Sequence, residues 1–377
     1  MTFASNPSPS RPAVSVIVPV RNEEASIGAC LQSLVKQTGV DFELIAVDDA
    51  STDRTLEIAQ SFPLVRVMEA GALPEGWIGK NNALNAGTGQ AHGEWLLFTD
   101  ADTVHCPGSL ARSLAEAKQH GAALLSYSPE QEVRGFWEKA VMPVIFADLA
   151  STYSPSRVSD PASPAAAANG QYILISREAY DAVGGHAAIA SSLLEDVALA
   201  RLVKRSGRRI FFRYGADAVR TRMYRTFAQL REGWTKNLAP LFPSPVQLAV
   251  LRMTEFVLIG GSAVMAILAG SNGRTTRALA AAILCTILYG LFFKRIRNAH
   301  FSWDADTLAL LGLPIFSYLL LRSTVFYERG AVTWKGRQYA GTMTKESKTH
   351  AGPNMPVRTT PAMSIQPEAA RRERYSN

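Results

Sequence analysis

The chain has 377 residues, room for one large domain with an appendage or for two modest domains. Its formal charge of +7 is too widely spread to build a nucleic-acid groove; the basic residues gather around apolar stretches of the C-terminal third, as in proteins that meet anionic lipid head groups. Three cysteines (Cys30, Cys106, Cys285) lack metal or redox spacing and fit a reduced compartment, and six histidines without a His-Glu-X-X-His pattern argue against histidine-bound zinc.

Residues 1–12 are rich in Ser and Pro with no apolar run behind them, which predicts a loose tail and no signal peptide. Residues 14–20 read as a first strand, stopped by Arg21 and Asn22. A helix follows with Ile27, Leu31, Leu34 and Val35 on one face and Glu23 and Glu24 in its first turn, where the helix dipole favours acids. Strand 42–47 runs into Asp48-Asp49-Ala-Ser-Thr-Asp53 and a helix over 54–61. Strand 64–68, a Gly/Pro loop over 71–79, a short helix over 80–86, strand 94–99 and a helix over 108–120 come next. Strand–helix alternation at this spacing implies right-handed crossovers and a parallel sheet, an α/β fold.

The stretch Glu94-Trp-Leu-Leu-Phe-Thr-Asp-Ala-Asp102 organises the rest. Its four apolar residues read as a strand buried on both faces, and it ends in Asp100 and Asp102. If the extended backbone continues, the two acids point to one side, at the carboxyl edge where open α/β sheets keep ligands. Like charges held that close need a cation or a ring of donors, and a hard divalent ion carrying phosphates suits them. Alone, Asp-X-Asp fits a solvated acidic loop equally well.

After strand 122–127 the alternation breaks. Residues 136–149 are apolar with charges at intervals and suit either core packing or a membrane interface with Trp137 at head-group level. Residues 151–168, rich in Ser, Pro and Ala, read as a mobile loop. Strand 171–175, a helix over 177–183, the turn Gly184-Gly185, an amphipathic helix over 193–203 with acids at its start, strands 209–213 and 216–221, and a basic-aromatic helix over 227–237 complete this region. Residues 256–270, 278–293 and 307–321 carry no charge. Each is shorter than the roughly 20 residues that span a bilayer, but apolar neighbours can extend them to two or three spans. The tail after Tyr339 is polar and reads as disordered.

Four motifs, Val16-Ile-Val-Pro-Val-Arg-Asn-Glu-Glu24, Val47-Asp-Asp-Ala-Ser-Thr-Asp53, Thr99-Asp-Ala-Asp102 and Leu194-Glu-Asp-Val-Ala-Leu199, occur in the order and spacing of family-2 glycosyltransferases, which the chain resembles over about residues 14 to 240. Leu73-Pro-Glu-Gly-Trp-Ile-Gly-Lys80, Glu232-Gly-Trp-Thr-Lys-Asn237 and Val332-Thr-Trp-Lys-Gly-Arg-Gln-Tyr339, with the C-terminal apolar helices, look like the membrane-bound lipid-glycosylating subset, the hopanoid-associated, carotenoid or ceramide transferases. The resemblance implies a GT-A fold, here residues 13–240. Membrane helices over 241–330 and a basic polar tail over 331–377 would follow it.

The resemblance also implies roles. Asp49 would accept hydrogen bonds from the nucleotide base, while Pro19, Arg21 and Glu23 wall base and ribose; the family often has an aromatic where Arg21 stands. Lys80, at a helix start, suits a phosphate contact or plain solvation. Asp100 and Asp102 would hold Mg2+ or Mn2+ on the diphosphate, offsetting charge on the leaving group, with Asp102 the direct ligand and Asp100 nearer ribose or metal. Asp196, with Glu195 beside it, would remove the acceptor hydroxyl proton; a helix-capping role is the alternative. Asn169 and Gly170 match a loop near donor sugar and acceptor. Arg231 and Trp234 match part of the glutamine–arginine–tryptophan signature of processive synthases, but Gln229 is wrongly spaced. That leaves Trp234 as an acceptor or interface platform. The basic set Arg220, Arg222, Arg225, Arg231 and Lys236 suits diphosphate, lipid head groups or solvent.

These features point to an inverting, metal-dependent enzyme. It would move a sugar from a UDP- or GDP-sugar to a hydroxyl of a membrane lipid, with a polyprenyl-phosphate or polysaccharide acceptor as the alternative. A non-catalytic nucleotide-sugar-binding scaffold is the competing class. The spaced glycines of 87–93 precede strand 94–99, so the dinucleotide fingerprint is absent. The inner membrane with a cytoplasmic catalytic domain is the expected location. Three full crossings would place Lys335 and Arg337 outside, against the positive-inside tendency. One segment then lies in the interface or re-enters, and residues 278–293 have the fewest apolar neighbours.

Overall fold

The protein is described over residues 11–339 by a computed structural model. In chain order, β1 (Val14–Val20), α1 (Ile27–Val35), β2 (Phe42–Asp48), α2 (Thr55–Gln60), β3 (Val65–Glu69), α3 (Gly79–Gln90), β4 (Trp95–Phe98), β5 (Thr103–His105) and α4 (Ser109–Gln119) form the first half. Then come β6 (Leu124–Ser128), β7 (Glu130–Gln131), α5 (Phe136–Thr152), α6 (Pro155–Ser159), β8 (Ile173–Ser176), α7 (Arg177–Ala182), a 3-10 turn (Gly185–Ile189), α8 (Glu195–Arg205), β9 (Ile210–Tyr214), β10 (Val219–Thr221) and α9 (Phe227–Leu241). Three long helices, α10 (Pro245–Ser271), α11 (Thr275–Arg297) and α12 (Trp303–Glu328), precede a hairpin of β11 (Val332–Trp334) and β12 (Arg337–Tyr339).

Seven strands form one sheet in the order β3-β2-β1-β4-β8-β6-β9, all parallel except β8, which runs antiparallel to both neighbours. This is the mostly parallel GT-A arrangement. The central strands are apolar throughout because helices cover both faces. Val14, Val16, Val18 and Val20 meet Ile27, Leu31 and Leu34 of α1 on one face, while Ile17, Ile45 and Val47 meet Ala83 and Leu84 of α3 on the other. A three-stranded sheet, β5-β10-β7, lies beyond the carboxyl end of β4.

Several elements differ from the sequence reading. α3 extends to Gln90 and takes in part of the glycine-rich stretch. A Cβ at Gly87 would lie 2.7 Å from Ile17 Cγ2 and 2.8 Å from Val47 Cγ2, so the glycine serves close helix–sheet packing. Glu23 and Glu24 precede α1 and lie outside its first turn. Residues 151–168 are packed: Val158 and Ala166 to Ala168 are buried, and Lys204 Nζ donates to the carbonyls of Val158 and Ala165, both at 2.6 Å. α5 packs on the core through Ala140, Val141, Val144 and Ile145, leaving Phe136 and Trp137 exposed. Residues 332–339, expected to belong to a polar tail, form a hairpin; the remainder of that tail and residues 1–10 lie outside the described residues.

The three C-terminal helices are long and apolar enough to cross a membrane, but they differ in what covers them. The apolar windows of α10 and α11 are 11% and 6% buried, whereas that of α12 is 44% buried. α12 lies against α9: Ser323 Oγ donates to the Thr235 carbonyl at 2.7 Å and Tyr327 Oη to the Lys236 carbonyl at 2.7 Å. At the root of the α10–α11 pair, buried Asp148 accepts from Arg252 (2.6 Å) and Arg295 (2.9 Å), and both arginines also reach Glu255.

Candidate active site

The carboxyl ends of β1, β2 and β4 and the start of α8 converge on one cavity of about 760 Å³. The chain leaves β4 in a turn instead of continuing extended: the Thr103 hydroxyl donates to the Asp100 carbonyl at 2.7 Å and β5 starts at once. The turn, not strand alternation, sets the two acids at the cavity floor. Lys80, in the first turn of α3, bridges Asp100 Oδ1 and Glu195 Oε1, each at 2.6 Å. The expected phosphate-facing lysine is thus held between carboxylates from two separate motifs. Asp102 Oδ1 is buried without a hydrogen-bond partner. Burial, with Asp100 and Glu23 nearby, pushes the Asp102 carboxyl up to about 7.

Glu195 and Asp196 open α8. Asp196 Oδ2 accepts from the Gly170 N–H at 3.0 Å and Oδ1 from the Val197 N–H at 2.7 Å. Burial and adjacent Glu195 raise the Asp196 carboxyl to about 6. Burial also opposes ionisation of Glu195, but Lys80 and Lys236 outweigh it and hold Glu195 below its ordinary range. A Cβ on Gly170 would lie 3.1 Å from both Glu195 Oε1 and Lys80 Nζ; glycine lets the backbone approach this charged cluster. Asn169 builds the same turn, its Oδ1 accepting from the Gln171 N–H at 3.0 Å.

On the other side, Pro19 lines the cavity from β1 and Arg21 braces the loop after β2, donating to the Asp49 carbonyl at 2.5 Å and the Ala50 carbonyl at 3.3 Å. The side chains of Asp49 and Glu23 are engaged by the C-terminal hairpin. Arg337 donates to both Asp49 oxygens, at 2.5 and 3.0 Å, while Lys335 pairs with Glu23 and donates to the Arg21 carbonyl at 2.8 Å. Sequence reasoning noted the 332–339 stretch only as a family likeness; partners some 290 to 310 positions away leave no local signal.

One expected site residue is placed elsewhere. Arg231 is exposed and absent from the cavity wall. Trp234 lines the cavity but is only 2% exposed, packed in the core with its indole N–H towards Met142 Sδ at 3.4 Å, so it offers no open platform. The basic set disperses into pairs: Arg220 with Glu130 and Arg222 with Glu138, while Arg225 donates to the Ala25 carbonyl. Arg222, Arg225 and Lys236 of that set line the cavity, together with Asn237, whose Oδ1 is buried and unpartnered. Phe146, Leu149, Tyr153 and Leu241 continue the cavity towards the long helices.

No group of three or more His, Cys, Asp or Glu side chains is arranged to enclose a metal among the described residues. Two carboxylates with one unsatisfied oxygen nevertheless fit a hard cation that takes its other oxygens from a diphosphate and water.

With this geometry in hand, comparison with known proteins is informative. The family described as glycosyl transferase family 2 matches residues 15–184, and this segment is a glycosyltransferase family 2 domain. A 4,4'-diaponeurosporenoate glycosyltransferase of Staphylococcus aureus is 27% identical over 339 residues, covering 87% of this chain and 88% of that one. Among solved structures, a mannosyltransferase from Pyrobaculum calidifontis in complex with GDP-Man and Mn2+ is 17% identical, with 84% and 87% of the two chains covered and a TM-score of 0.48. Glucosyl-3-phosphoglycerate synthase from Mycobacterium tuberculosis, in complex with Mn2+, UDP and glucosyl-3-phosphoglycerate, is 22% identical over 60% of this chain and 79% of that one, with a TM-score of 0.40.

Proposed function

We propose that the protein is an inverting, divalent-cation-dependent glycosyltransferase that moves one sugar from a UDP- or GDP-sugar to a hydroxyl of a membrane lipid of isoprenoid or carotenoid type. One observation carries this reading: a single cavity holds the acids of four separate motifs at one end and apolar walls leading to long apolar helices at the other. The relative named for 4,4'-diaponeurosporenoate supports a polyene-lipid acceptor.

In this reading Pro19, Arg21 and Glu23 wall the base and ribose. Asp49 accepts the donors of the base once Arg337 gives way. Asp100 and Asp102 hold Mg2+ or Mn2+, which when bound offsets the charge of the leaving diphosphate. Asp196 takes the acceptor proton, and its raised pKa suits a base working near neutral pH. Glu195, kept ionised by Lys80, holds that ammonium beside the donor. Asn169 and Gly170 frame the sugar.

The long helices define the anchoring. α10 and α11 cross as a pair with residues 271–274 at the far tip, and α12, covered by α5 and α9, lies along the interface. Two crossings return the hairpin to the catalytic side, in keeping with Lys335 and Arg337 meeting Glu23 and Asp49. This assigns the interfacial role to α12 instead of residues 278–293. The catalytic domain faces the cytoplasm, where nucleotide-sugars are expected, at the inner membrane.

The test is the detergent-solubilised full chain with membrane lipid extract and a panel of radiolabelled nucleotide-sugars, with and without chelator. One donor should label the organic phase, and the chelator should abolish it. Label that stays water-soluble counts against a lipid acceptor; no turnover with any donor removes the activity.

A further inference from the structure

Asp102, in the turn after β4, and Asp196, in the first turn of α8, are far apart in the chain, yet a run of hydrogen bonds links them. The Asp102 carbonyl accepts from the Thr221 hydroxyl of β10 at 3.2 Å, and that hydroxyl accepts from Gln171 Nε2 at 3.2 Å. Gln171 directly follows Gly170, whose N–H donates to Asp196 Oδ2 at 3.0 Å. The Thr221 hydroxyl has one proton and gives it to Asp102, so the group on its other side has to be a donor; the Gln171 amide is one.

Gln171 is 4% exposed and each of its polar groups is engaged. Its N–H donates to Asn169 Oδ1 at 3.0 Å, its carbonyl accepts from the Thr99 hydroxyl at 2.8 Å, and its Oε1 lies 3.5 Å from Gln131 Nε2. The cation side is held in the same manner. Thr103 and Thr221 stand opposite one another in the β5–β10 pair, and their hydroxyls donate to the main-chain carbonyls of Asp100 and Asp102, the residues that carry the acids. The protons of Thr99 and Thr103 are both committed, so His105 Nε2, 3.1 and 3.2 Å from their oxygens, is the donor between them. Thr99, Thr103, His105 and Thr221 are all buried, where hydrogen bonds escape competition from water and fix geometry.

We propose that Gln171 is a positioning residue for transfer: through Thr221 on one side and the Asn169–Gly170 turn on the other, it fixes the separation between the cation seat of Asp100 and Asp102 and the base Asp196. The proposal rests on the transfer reading above and adds to it a residue that acts through others. In an inverting displacement the leaving diphosphate and the attacking hydroxyl stand on opposite faces of the sugar. The groups that serve them have to be held at a set distance, and a misplacement of about 1 Å costs on the order of a hundredfold in rate. The Lys80 bridge ties Asp100 to Glu195. Asp196 accepts from the main-chain N–H groups of Gly170 and Val197, so its place follows the turn that Gln171 holds.

The experiment uses the full chain in detergent, with radiolabelled donor and lipid extract for turnover, and UDP or GDP with Mn2+ for binding by calorimetry. Gln171→Met keeps the size and removes the amide. It should lower kcat at saturating donor and acceptor by about ten- to hundredfold, while donor KM and Mn2+-supported nucleoside diphosphate affinity stay within about twofold. Thr221→Val breaks the same link and also frees the Asp102 carbonyl. It should lower kcat as far and weaken Mn2+-supported nucleoside diphosphate binding by about three- to tenfold, and Thr221→Ser should restore both. In the double variant Gln171→Met/Thr221→Val, kcat should lie within about twofold of that of Thr221→Val, because both changes act on one link. Losses that multiply in the double variant overturn the proposal, as does a native kcat in Gln171→Met. So does a loss of nucleoside diphosphate affinity in Gln171→Met equal to its loss of kcat, or a Thr221→Ser as impaired as Thr221→Val. Should Gln171→Met melt below the native temperature, the comparison of Thr221→Val with Thr221→Ser decides. Absence of labelled lipid from the native protein would instead strike the transfer reading, and the binding arm at Thr221 is read without turnover.

Discussion

The two ends of the cavity are built on different principles. At the nucleotide end, Glu23, Asp49, Asp100 and Glu195 each have an internal basic partner, supplied by Lys335, Arg337 or Lys80. Farther on, Phe146, Leu149, Tyr153 and Leu241 line the wall beside Arg225 and Lys236, for neither of which a carboxylate partner is seen among the described residues. Internal pairing lowers the cost of burying charge; in the proposed transfer a cation and a diphosphate would enter the first end by exchanging these ion pairs.

The contrast can be broken most severely at Asp196. With an alcohol acceptor, Asp196→Asn should lower the transfer rate by about 10²- to 10⁴-fold, the usual share of a positioned base, while nucleoside diphosphate binding stays unchanged; full turnover would remove Asp196 from the base role. Asp102→Ala acts at the other end. It should weaken cation-supported nucleoside diphosphate binding by about ten- to hundredfold, measured by calorimetry with and without Mn2+, and have little effect where no divalent cation is present.

A smaller effect, opposite in sign, is expected at Arg337. Because Arg337 occupies both oxygens of Asp49, Arg337→Ala should tighten nucleotide binding by about three- to tenfold, the scale of one modest hydrogen bond; weakened binding would make Arg337 a ligand of the nucleotide. Smallest is the pH response. Asp196, raised to about 6, acts as a base only when deprotonated, so transfer to an alcohol should fall as pH drops through about 6. That inflection should be missing from the residual activity of Asp196→Asn.

The nucleotide end was legible because its residues sit in short motifs at strand ends, where apolar runs such as Trp95–Phe98 stop at acids. The order of strands and helices was readable for the same reason: strands covered on both faces are continuous apolar runs. What the sequence hid was tertiary. The turn that sets Asp100 and Asp102, the capture of Lys80 by Glu195 and the docking of 332–339 on Asp49 depend on partners distant in the chain. Trp234 lines the cavity yet is almost wholly covered; an aromatic in a basic helix reads as surface until α5 is packed over it. α11 and α12 looked alike in composition; only their neighbours distinguish one open to its surroundings from one covered by α5 and α9.

The C-terminal hairpin gives the molecule its own optical probe. Trp334 lies 5.2 Å from the Lys236 ammonium and 6.0 Å from that of Lys335, on the strand paired with the one bearing Arg337. Indole emission responds to nearby charge, so a nucleotide base that takes Asp49 from Arg337 should perturb this fluorophore. Titrating nucleotide into a variant whose other five tryptophans are replaced by phenylalanine would read that displacement from Trp334 alone.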